Sequence, residues 1–468
     1  ILLYVYLIFT LATLAAQTDT VELTYISEFY FENILPYSAF TSEFNKDGNP
    51  YVYSACRELG IVTFDISNID SPFPVDTIPI SALHNLNPTN ISQHGNYLYC
   101  SVGGFEGLVP QKAGLAILDI DDPAAPLVTD VWDSTAFNQG AAIVISDGQF
   151  AYLGAMDEGV IILDVSNKSD IKFISSILPD PNFPEVPGLF SVPNARGLCF
   201  YSTDKLMVAY DAGGLRMIDI SNKAIPLEIG KYVNTGIEDI AQSAYNNVAV
   251  VDHYAYVPVD MCGLDVVDIS DENMENIYWY NPWNCDSSNW VGRPGHTNDI
   301  RVIGDSLLFV SAADSEVLIF DISNREEPKL VGEYANVYDS IAAWSADVTE
   351  DYISLALVNN EIYQIPFYSN KGGIAILEWN AIAFSAASDL IDERNFHLSP
   401  NPVTNVVHLQ ADFEWNNYII TDFTGKMVLR SGFNSTINCA GLTSGLFMIS
   451  LFDKDYRLLG TARFIFQN

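Results

Sequence analysis

The stretch GLRMIDISN, residues 214–222, contains the phrase on which the fold depends. Related phrases are GIVTFDISN from Gly60, GLAILDIDD from Gly114, GVIILDVSN from Gly159, GLDVVDISD from Gly263 and EVLIFDISN from Glu316. Each ends a mostly apolar run with an aspartate, and these six are Asp65, Asp119, Asp164, Asp219, Asp268 and Asp321. Their spacing of 45 to 55 residues is typical of an array whose units bury their faces against neighbours.

The phrase reads as a strand that is buried on both sides. Leu215 and Met217 point one way, and Ile218 and Ile220 point the other, which suits a sheet packed between two other sheets. Two strand patterns precede each phrase and a fourth follows it, as in AAIVIS, QFAYLG and PLEIGKYV, with turn residues between the first two. We therefore predict an all-β chain with a seven-bladed β-propeller of four-stranded antiparallel blades at residues 21–380.

The two ends of the predicted ring depart from the repeat. The seventh blade is expected at about residues 342–368, with Gln364 in place of the aspartate. The strand VELTYISEFY, residues 21–30, has no blade of its own. We expect it to pair with the last blade, because ring closure removes exposed sheet edges.

The repeated phrases resemble the LVIVD repeat, a propeller repeat of bacterial surface proteins with the approximate consensus GLxIVDVSDPxxPxLVGxY. The resemblance covers roughly residues 21–379. It implies a propeller fold and a location at the cell surface.

The C-terminal part of the chain has a different pattern. After a linker predicted at 381–395, short strands separated by turn residues from Phe396 predict a small immunoglobulin-like (Ig-like) β-sandwich at 396–468. This part closely resembles the type A C-terminal sorting domain (Por) of the type IX secretion system of Bacteroidetes. The matching residues are Pro400, Asn401, Pro402, Asp422, Gly425, Leu442, Ser444 and Gly445, while Phe447 replaces the usual tyrosine.

That resemblance implies a partner and a route. The type IX secretion machinery would carry the chain through the outer membrane. The sorting domain would then be cleaved, and the protein would be attached to surface lipopolysaccharide or released. We therefore expect a secreted or outer-membrane cell-surface location.

The N-terminal run ILLYVYLIFTLATLAAQ is too short to span a membrane and ends in small residues. It predicts a secretory signal peptide at residues 1–16, which we expect to be truncated because no initiator methionine or basic region precedes it.

Charge excludes one class of partner. The chain has 59 acidic and 21 basic residues, a formal net charge of −38. Nucleic-acid binding depends on clustered Lys and Arg, so we predict no nucleic-acid partner. So acidic a surface attracts divalent cations instead.

The six cysteines form no CxxC pair, which argues against a zinc site. Cys56 and Cys100 lie on or just past equivalent second strands and are predicted to be buried thiols. Cys262 and Cys285 fall in two loops that emerge on the same face of a propeller blade. We predict a disulfide bond between them in an oxidising compartment.

The repeated aspartates are predicted to be structural. Each ends a strand before a turn, where a carboxylate can accept backbone N–H groups, and a catalytic residue would not recur in every blade. Asp119, Asp121 and Asp122 form a cluster that suits calcium, although no D-x-[DN]-x-[DN]-G loop occurs. We expect no cofactor or metal otherwise.

Three insertions fall on one face of the predicted propeller: residues 103–114, 179–197 and 278–299. Loops this long are often functional. The third holds the tentative ligand-binding residues Trp279, Trp283, Trp290, Arg293, His296 and Asp299. Aromatic rings beside polar groups suit a sugar ring or a protein partner. Alternatively, the rings only fill space above blades five and six.

The starts of the innermost strands would line a central funnel. The residues expected there are Glu43, Thr89, Asn138, Arg196, Asn246, His296, Asp299 and Trp344. No metal triad, GxSxG, HExxH or phosphate-binding glycine loop is evident.

Three functional hypotheses remain open. The chain is a propeller that binds a glycan or protein through its looped face, an extracellular hydrolase or lyase, or a structural spacer. The second would use Glu43, His296 and Asp299 as the funnel residues best suited to acid–base chemistry.

Overall fold

The structure is a computed structural model. It describes residues 20–31, 39–104, 111–185, 192–237, 244–283, 285, 295–313, 316–335, 340–361, 368–382, 396–400, 403–411, 415–422, 427–439, 442, 445–452 and 458–466. The predicted signal peptide lies outside these residues. The chain divides into two compact units, Ile1–Phe384 and Ser385–Asn468.

The first unit contains five sheets of four antiparallel strands and one eight-stranded sheet. A single pair, Ala313 opposite Ala343, joins two four-stranded blades in the larger sheet, so the unit has seven four-stranded blades. Blade 1 contains β2 (Thr41–Phe44), β3 (Tyr51–Ala55), β4 (Ile61–Asp65) and β5 (Phe73–Ile78). Blade 2 contains β6 (Pro88–His94), β7 (Tyr97–Val102), β8 (Gly114–Asp119) and β9 (Leu127–Asp133). Blade 3 contains β10 (Ile143–Ser146), β11 (Phe150–Gly154), β12 (Val160–Asp164) and β13 (Lys172–Ile177). Blade 4 contains β14 (Gly197–Ser202), β15 (Lys205–Ala209), β16 (Leu215–Asp219) and β17 (Leu227–Tyr232).

The remaining blades follow the same order from the innermost to the outermost strand. Blade 5 contains β18 (Ala249–Val251), β19 (Tyr254–Pro258), β20 (Leu264–Asp268) and β21 (Glu275–Tyr280). Blade 6 contains β22 (Gly295–Ile303), β23 (Leu307–Ala313), β24 (Val317–Asp321) and β25 (Lys329–Tyr334). Blade 7 contains β26 (Ala343–Val348), β27 (Tyr352–Leu357), β28 (Gly373–Ile382) and, as its outermost strand, β1 (Thr20–Tyr30).

The N-terminal strand closes the ring, as the sequence predicts. β1 pairs antiparallel with β28, from Thr20 opposite Ile382 to Tyr30 opposite Gly373. The predicted blade 7 is wrong in one respect, because the strand that pairs with β27 as the third strand is β28. Gln364 lies outside the described residues. Glu378 lies opposite Tyr352, where Asp65 lies opposite Tyr51 in blade 1. The strand also runs two residues into the range expected to be a linker.

Apolar side chains fill the space between the blades. Each pair of neighbouring blades shares one apolar cluster, including the pair formed by blades 7 and 1. Between blades 4 and 5, for example, Met217 packs with Val257. Between blades 1 and 7, Phe64 packs with Ile376. A third strand such as β16 is therefore apolar on both sides because it faces two neighbours.

The alternating strands give the propeller two faces. The turn face carries the hairpins between first and second strands and the turns that follow the repeated aspartates. The loop face carries the connections between second and third strands and those that lead to the next blade. Two short 3-10 turns, Arg57–Leu59 and Ile80–Ala82, lie on these loop-face connections.

On the loop face, a residue at the end of the second strand, or one or two positions beyond it, has left-handed backbone geometry in six blades. These residues are Arg57, Gly103, Met156, Asp211, Asp260 and Ala313. Several make β-bridges to the next blade, as Asp211 does with Tyr245 and Asp260 with Thr297. The tight turn therefore sets two acidic side chains at the loop-face end of the channel.

The second unit is a small β-sandwich. One sheet contains β29 (Phe396–Ser399), β30 (Val406–Ala411) and β33 (Thr436–Asn438). The other contains β31 (Asn417–Asp422), β32 (Met427–Gly432), β34 (Gly445–Phe452) and β35 (Leu458–Phe466). Their shared core includes Val407, Ile420, Ile449 and Phe464. Pro400 follows β29 and Gly445 begins β34, while Asn401, Pro402 and Gly425 lie outside the described residues.

In the described part of the chain, no helix is long and apolar enough to cross a membrane.

Candidate functional site

The turn face repeats one hydrogen bond in six blades. The Oδ1 atom of each repeated aspartate accepts the backbone N–H two residues later, at N···O distances of 2.7 to 2.9 Å. In blade 3, the Ser166 hydroxyl also donates to Asp164. This pattern holds the turn into the fourth strand.

The three aspartates of the predicted calcium cluster, Asp119, Asp121 and Asp122, accept local hydrogen bonds. Asp119 accepts the N–H of Asp121, Asp121 accepts the side-chain amide of Asn96, and Asp122 accepts the N–H of Ala124. Among the described residues, no three His, Cys, Asp or Glu side chains form a group that could hold a metal ion.

The loop face is built differently, with residues that occur once. A disulfide bond joins Cys262 to Cys285, whose Cα atoms are 5.0 Å apart. Trp279 belongs to the outer strand β21, opposite Asp265, and not to a loop. Its indole N–H donates to the carbonyl of Cys262 at 2.7 Å, and its ring packs against Gly236. One side of this ring is therefore packed against the protein, while the side chain remains partly exposed.

Trp283 is also half-buried. Its ring covers the backbone of Gly295 so closely that no side chain fits at position 295, and it packs against the cluster between blades 5 and 6. Trp290 and Arg293 lie outside the described residues. Of the predicted aromatic platform, the structure thus places two rings at the loop face, each with one side packed.

Arg216 is a loop-face residue that sequence reasoning missed. It is fully buried and forms an ion pair of 2.5 Å with Glu228. Its guanidinium also donates to the carbonyls of Gly213, Asp180 and Phe183. It therefore holds the proline-rich loop that follows blade 3. The signal was a charge at an apolar position of the repeat, in GLRMID.

Asp265 occupies the same repeat position in blade 5. Its buried carboxylate accepts the hydroxyls of Tyr232 and Tyr245 and the side-chain amides of Asn234 and Asn276, at 2.7 to 3.2 Å. Burial raises its pKa to about 6, although these hydrogen bonds lower it. Asp265 therefore anchors the loop that follows blade 4, and GLDVVD carried the same signal.

The central channel contains a cavity lined by all seven blades. Its volume is about 40 Å³, enough for a few water molecules. The lining residues are Phe40, Thr41, Thr89, Asn90, Ala142, Ile143, Arg196, Asn246, Asn247, Asn298, Asp299, Trp344 and Ser345. Arg196, from blade 4, lies over the ring of Trp344 in blade 7 at 5.9 Å.

Other predicted funnel residues lie elsewhere. Glu43 is buried away from the cavity, where it accepts the N–H of Gln93 and pairs with Lys46. Asn138 precedes β10 on an exposed loop, and its N–H donates to Glu158. The prediction is wrong for Asn138, because β10 begins five residues after it. Glu43 does not line this cavity, but its charge acts on Arg301 in blade 6 and Asp347 in blade 7.

His296 lies beside Asp260 at the loop-face end of the channel, with 3.3 Å between Nε2 and Oδ1. Burial, helped by the charge of Arg196, lowers the pKa of His296 to about 4. Burial raises the pKa of Asp260 to about 6. The imidazole is therefore neutral at neutral pH, and it stacks on Trp344 at 6.0 Å.

Three of the four free cysteines are buried, among them Cys56 and Cys100, as the sequence predicts. Burial raises the pKa of both thiols, so they remain protonated at neutral pH.

The chain matches two family models. Residues 397–465 match the secretion system C-terminal sorting domain. Residues 88–131, 141–178, 206–234, 244–274 and 294–336 match the LVIVD repeat. No curated protein sequence matches the chain.

Several solved structures are similar. PorZ, a surface component of the type IX secretion system of Porphyromonas gingivalis, is 12% identical with a TM-score of 0.41. The match covers 91% of this chain, which spans only 65% of PorZ. The RRP9 WD40 repeats and U3-55K are 11% and 10% identical, with TM-scores of 0.52 and 0.50. Each match covers 78% of this chain and 99% of the other. At these identities the last two show a shared fold alone.

The fold and the C-terminal unit define a secreted β-propeller protein of the bacterial cell surface. More particularly, the propeller carries LVIVD repeats, and the C-terminal sorting domain indicates export through the type IX secretion system.

Proposed function

We propose that this propeller is a surface binding protein that recognises a glycan or a protein partner through its loop face. One observation carries the proposal. The disulfide between Cys262 and Cys285 fixes a segment on which Trp279 and Trp283 each keep part of the ring exposed.

The chemistry around these rings suits recognition. A tryptophan held on one side by packing offers the other at little cost in conformational entropy, and such anchors dominate many interfaces. The loop face also carries the long connections after blades 3 and 4, which Arg216 and Asp265 hold in place. Recognition sites commonly lie on loops that a rigid scaffold positions.

The test is binding of the full secreted chain to a panel of polysaccharides and to intact cells. Trp283→Ala is expected to weaken binding about tenfold or more, as for an interface anchor. Phe173→Ala is the matched control, since Phe173 is an exposed ring on the outer strand of blade 3. Equal binding by both variants, at unchanged melting temperature, would contradict the proposal.

A ligand-induced shift of tryptophan emission in the unaltered chain gives a second readout that does not depend on folding of a variant. A partner that is protein and not glycan would appear as saturable binding to cells that survives removal of surface polysaccharide.

We also propose the fate implied by the sorting domain, which is removal after export followed by attachment of the propeller to lipopolysaccharide or its release. Mass spectrometry of the mature protein tests this. The expected product lacks residues 396–468, and a lipopolysaccharide-attached form migrates as a ladder. A mature protein that retains the β-sandwich would contradict it.

A further inference from the structure

Four buried side-chain oxygen atoms belong to residues that line the central cavity and have no hydrogen-bond partner among the residues that the structure describes. They are Asn246 Oδ1, Asn298 Oδ1, Asp299 Oδ2 and Ser345 Oγ. Their residues are only 3 to 7% exposed. A buried acceptor without a partner costs free energy, so four around one cavity point to a ligand that oxygen atoms bind.

The orientation of the two amides is determined by their other hydrogen bonds. The Asn246 amide nitrogen donates to Asp260 Oδ1 at 2.9 Å and to the carbonyl of Thr297 at 2.7 Å. The Asn298 amide nitrogen donates to the carbonyl of His296 at 2.9 Å. These partners can only accept, so turning either amide over would set oxygen against oxygen. The amide oxygens are therefore the groups left for the cavity.

The two oxygen atoms of the Asp299 carboxylate also differ in their hydrogen bonds. Its Oδ1 atom accepts the side chains of Asn247 and Arg301 and the N–H of Ile300, at 2.6 to 2.8 Å. That oxygen is saturated, whereas Oδ2 has none of these contacts. Asp299 thus keeps one negatively charged oxygen for the cavity.

The charges around the channel favour a cation. Five carboxylates belong to its wall and to the groups behind it, namely Glu43, Asp211, Asp260, Asp299 and Asp347, and they face Lys46, Arg196 and Arg301. When all are ionised, two negative charges remain in excess. Arg196 lines the cavity as well, but its charge acts on Asp211 and Asp260, which balance it.

We propose that the central cavity binds one Ca²⁺ ion through Asn246, Asn298, Asp299 and Ser345, with water completing the coordination. Carboxylate, amide and hydroxyl oxygens are ligands of hard cations, and Ca²⁺ accepts irregular sets of six to eight. Because only one of these four ligands is charged, the affinity is that of an extracellular module, with a Kd of about 10⁻⁴ to 10⁻³ M. The ion joins blades 5, 6 and 7.

The experiment measures Ca²⁺ binding to the full chain by calorimetry after chelation, in about 0.15 M salt to screen the acidic surface. We expect one saturable site and a melting temperature that rises with Ca²⁺ concentration. Asp299→Asn is expected to weaken binding at least tenfold. Asn298→Asp adds a charged ligand and is expected to tighten it about tenfold.

The control is the pair Asp121→Asn and Asp122→Asn, which removes exposed carboxylates from the turn face and is expected to leave binding unchanged. If Asp299→Asn does not fold, Ser345→Ala removes one ligand oxygen instead. In a second measurement Tb³⁺ replaces Ca²⁺, and its emission is excited through the nearby ring of Trp344. Trp344→Phe should abolish that emission. No saturable Ca²⁺ binding, or affinity unchanged in Asn298→Asp and Ser345→Ala, would overturn the proposal. So would binding that only the turn-face variants abolish.

Discussion

The two faces of the propeller are made from the same repeat in opposite ways. On the turn face, six aspartates make the same hydrogen bond to the same position of the next turn. On the loop face, the interactions occur once each, as with Arg216, Asp265 and the disulfide bond. The comparison shows that positions with the same residue in each blade stabilise the fold. Positions at which one blade has a different residue form interactions specific to that blade. It follows that substitutions should have small and equal effects on the turn face, and large and unequal effects on the loop face.

The largest effect is expected from Arg216→Met. The substitution leaves Glu228 and the carbonyls of Asp180 and Phe183 without their buried donor, and breaking a buried pair in this way costs about 3 to 5 kcal/mol. Chemical denaturation of the full chain, followed by propeller tryptophan fluorescence, measures the loss. The control is Lys223→Met in the same blade, since Lys223 donates to two turn-face carbonyls and, unlike Arg216, is partly exposed. If both variants lose equal stability, the contrast between the faces fails.

The second-largest loss of stability is expected from removal of the disulfide bond. It closes a loop with a sequence separation of 23 residues, for which the chain-entropy model gives about 3 kcal/mol. Reduction of the unaltered chain and the double variant Cys262→Ser, Cys285→Ser should lose similar stability. The double variant should then be insensitive to reductant. A further loss on reduction would show that another pair contributes.

The third prediction concerns pH and Asp265. Burial raises its folded pKa to about 6 from an ordinary value of 3.8. Between pH 4 and 6 the folded state thus binds more protons than the unfolded state, and the carboxyl's contribution to stability falls as pH rises. The free energy of unfolding of the unaltered chain, measured by chemical denaturation, should therefore fall between pH 4 and pH 7. Relative to Asp265→Asn, the expected fall is about 2 kcal/mol.

Comparing the two proteins at each pH cancels the other titrating groups. His296 has the opposite sign, because its lowered pKa makes the unfolded state bind more protons between pH 4 and 6.5. A flat difference between the unaltered chain and Asp265→Asn would contradict the assignment to Asp265.

The smallest effect is expected at the turns. Asp268→Ala and Asp219→Ala each remove an exposed hydrogen bond to the following turn, at a cost of about 1 kcal/mol or less. Melting temperatures of the two variants should agree closely, since the lost bond is the same. Unequal shifts would show that blade context matters on this face too.

Much of the fold follows from residues that repeat. The aspartate spacing and the two-sided apolar strands predict the blades, and the unpaired strand at residues 21–30 predicts the closure with β28. The prediction for blade 7 failed because the sequence of residues 361–368 alternates like a strand, whereas the third strand, which contains Glu378, begins further along the chain at Gly373. A pattern over a few residues does not show which of two candidates reaches the neighbouring sheet.

The site is harder to predict, because its geometry depends on contacts between blades. The sequence suggests that Asp299, Arg196 and Trp344 line the funnel, and they line the cavity. It does not show that the amide oxygens of Asn246 and Asn298 are left without a donor. That depends on the folded positions of the acceptors that bind the two amide nitrogens. Trp279 was expected in a loop but lies in β21, opposite Asp265 of β20. The sequence does not show at which residue a strand ends.

The pairing of β1 with β28 has a consequence for the life of the chain. Thr20 is synthesised early and Ile382 more than three hundred residues later, so bringing them together costs on the order of 5 kcal/mol in chain entropy. The sorting unit begins directly after that late strand. A nascent polypeptide that ends before residue 382 would therefore lack both the complete strand that closes the ring and the domain that directs export.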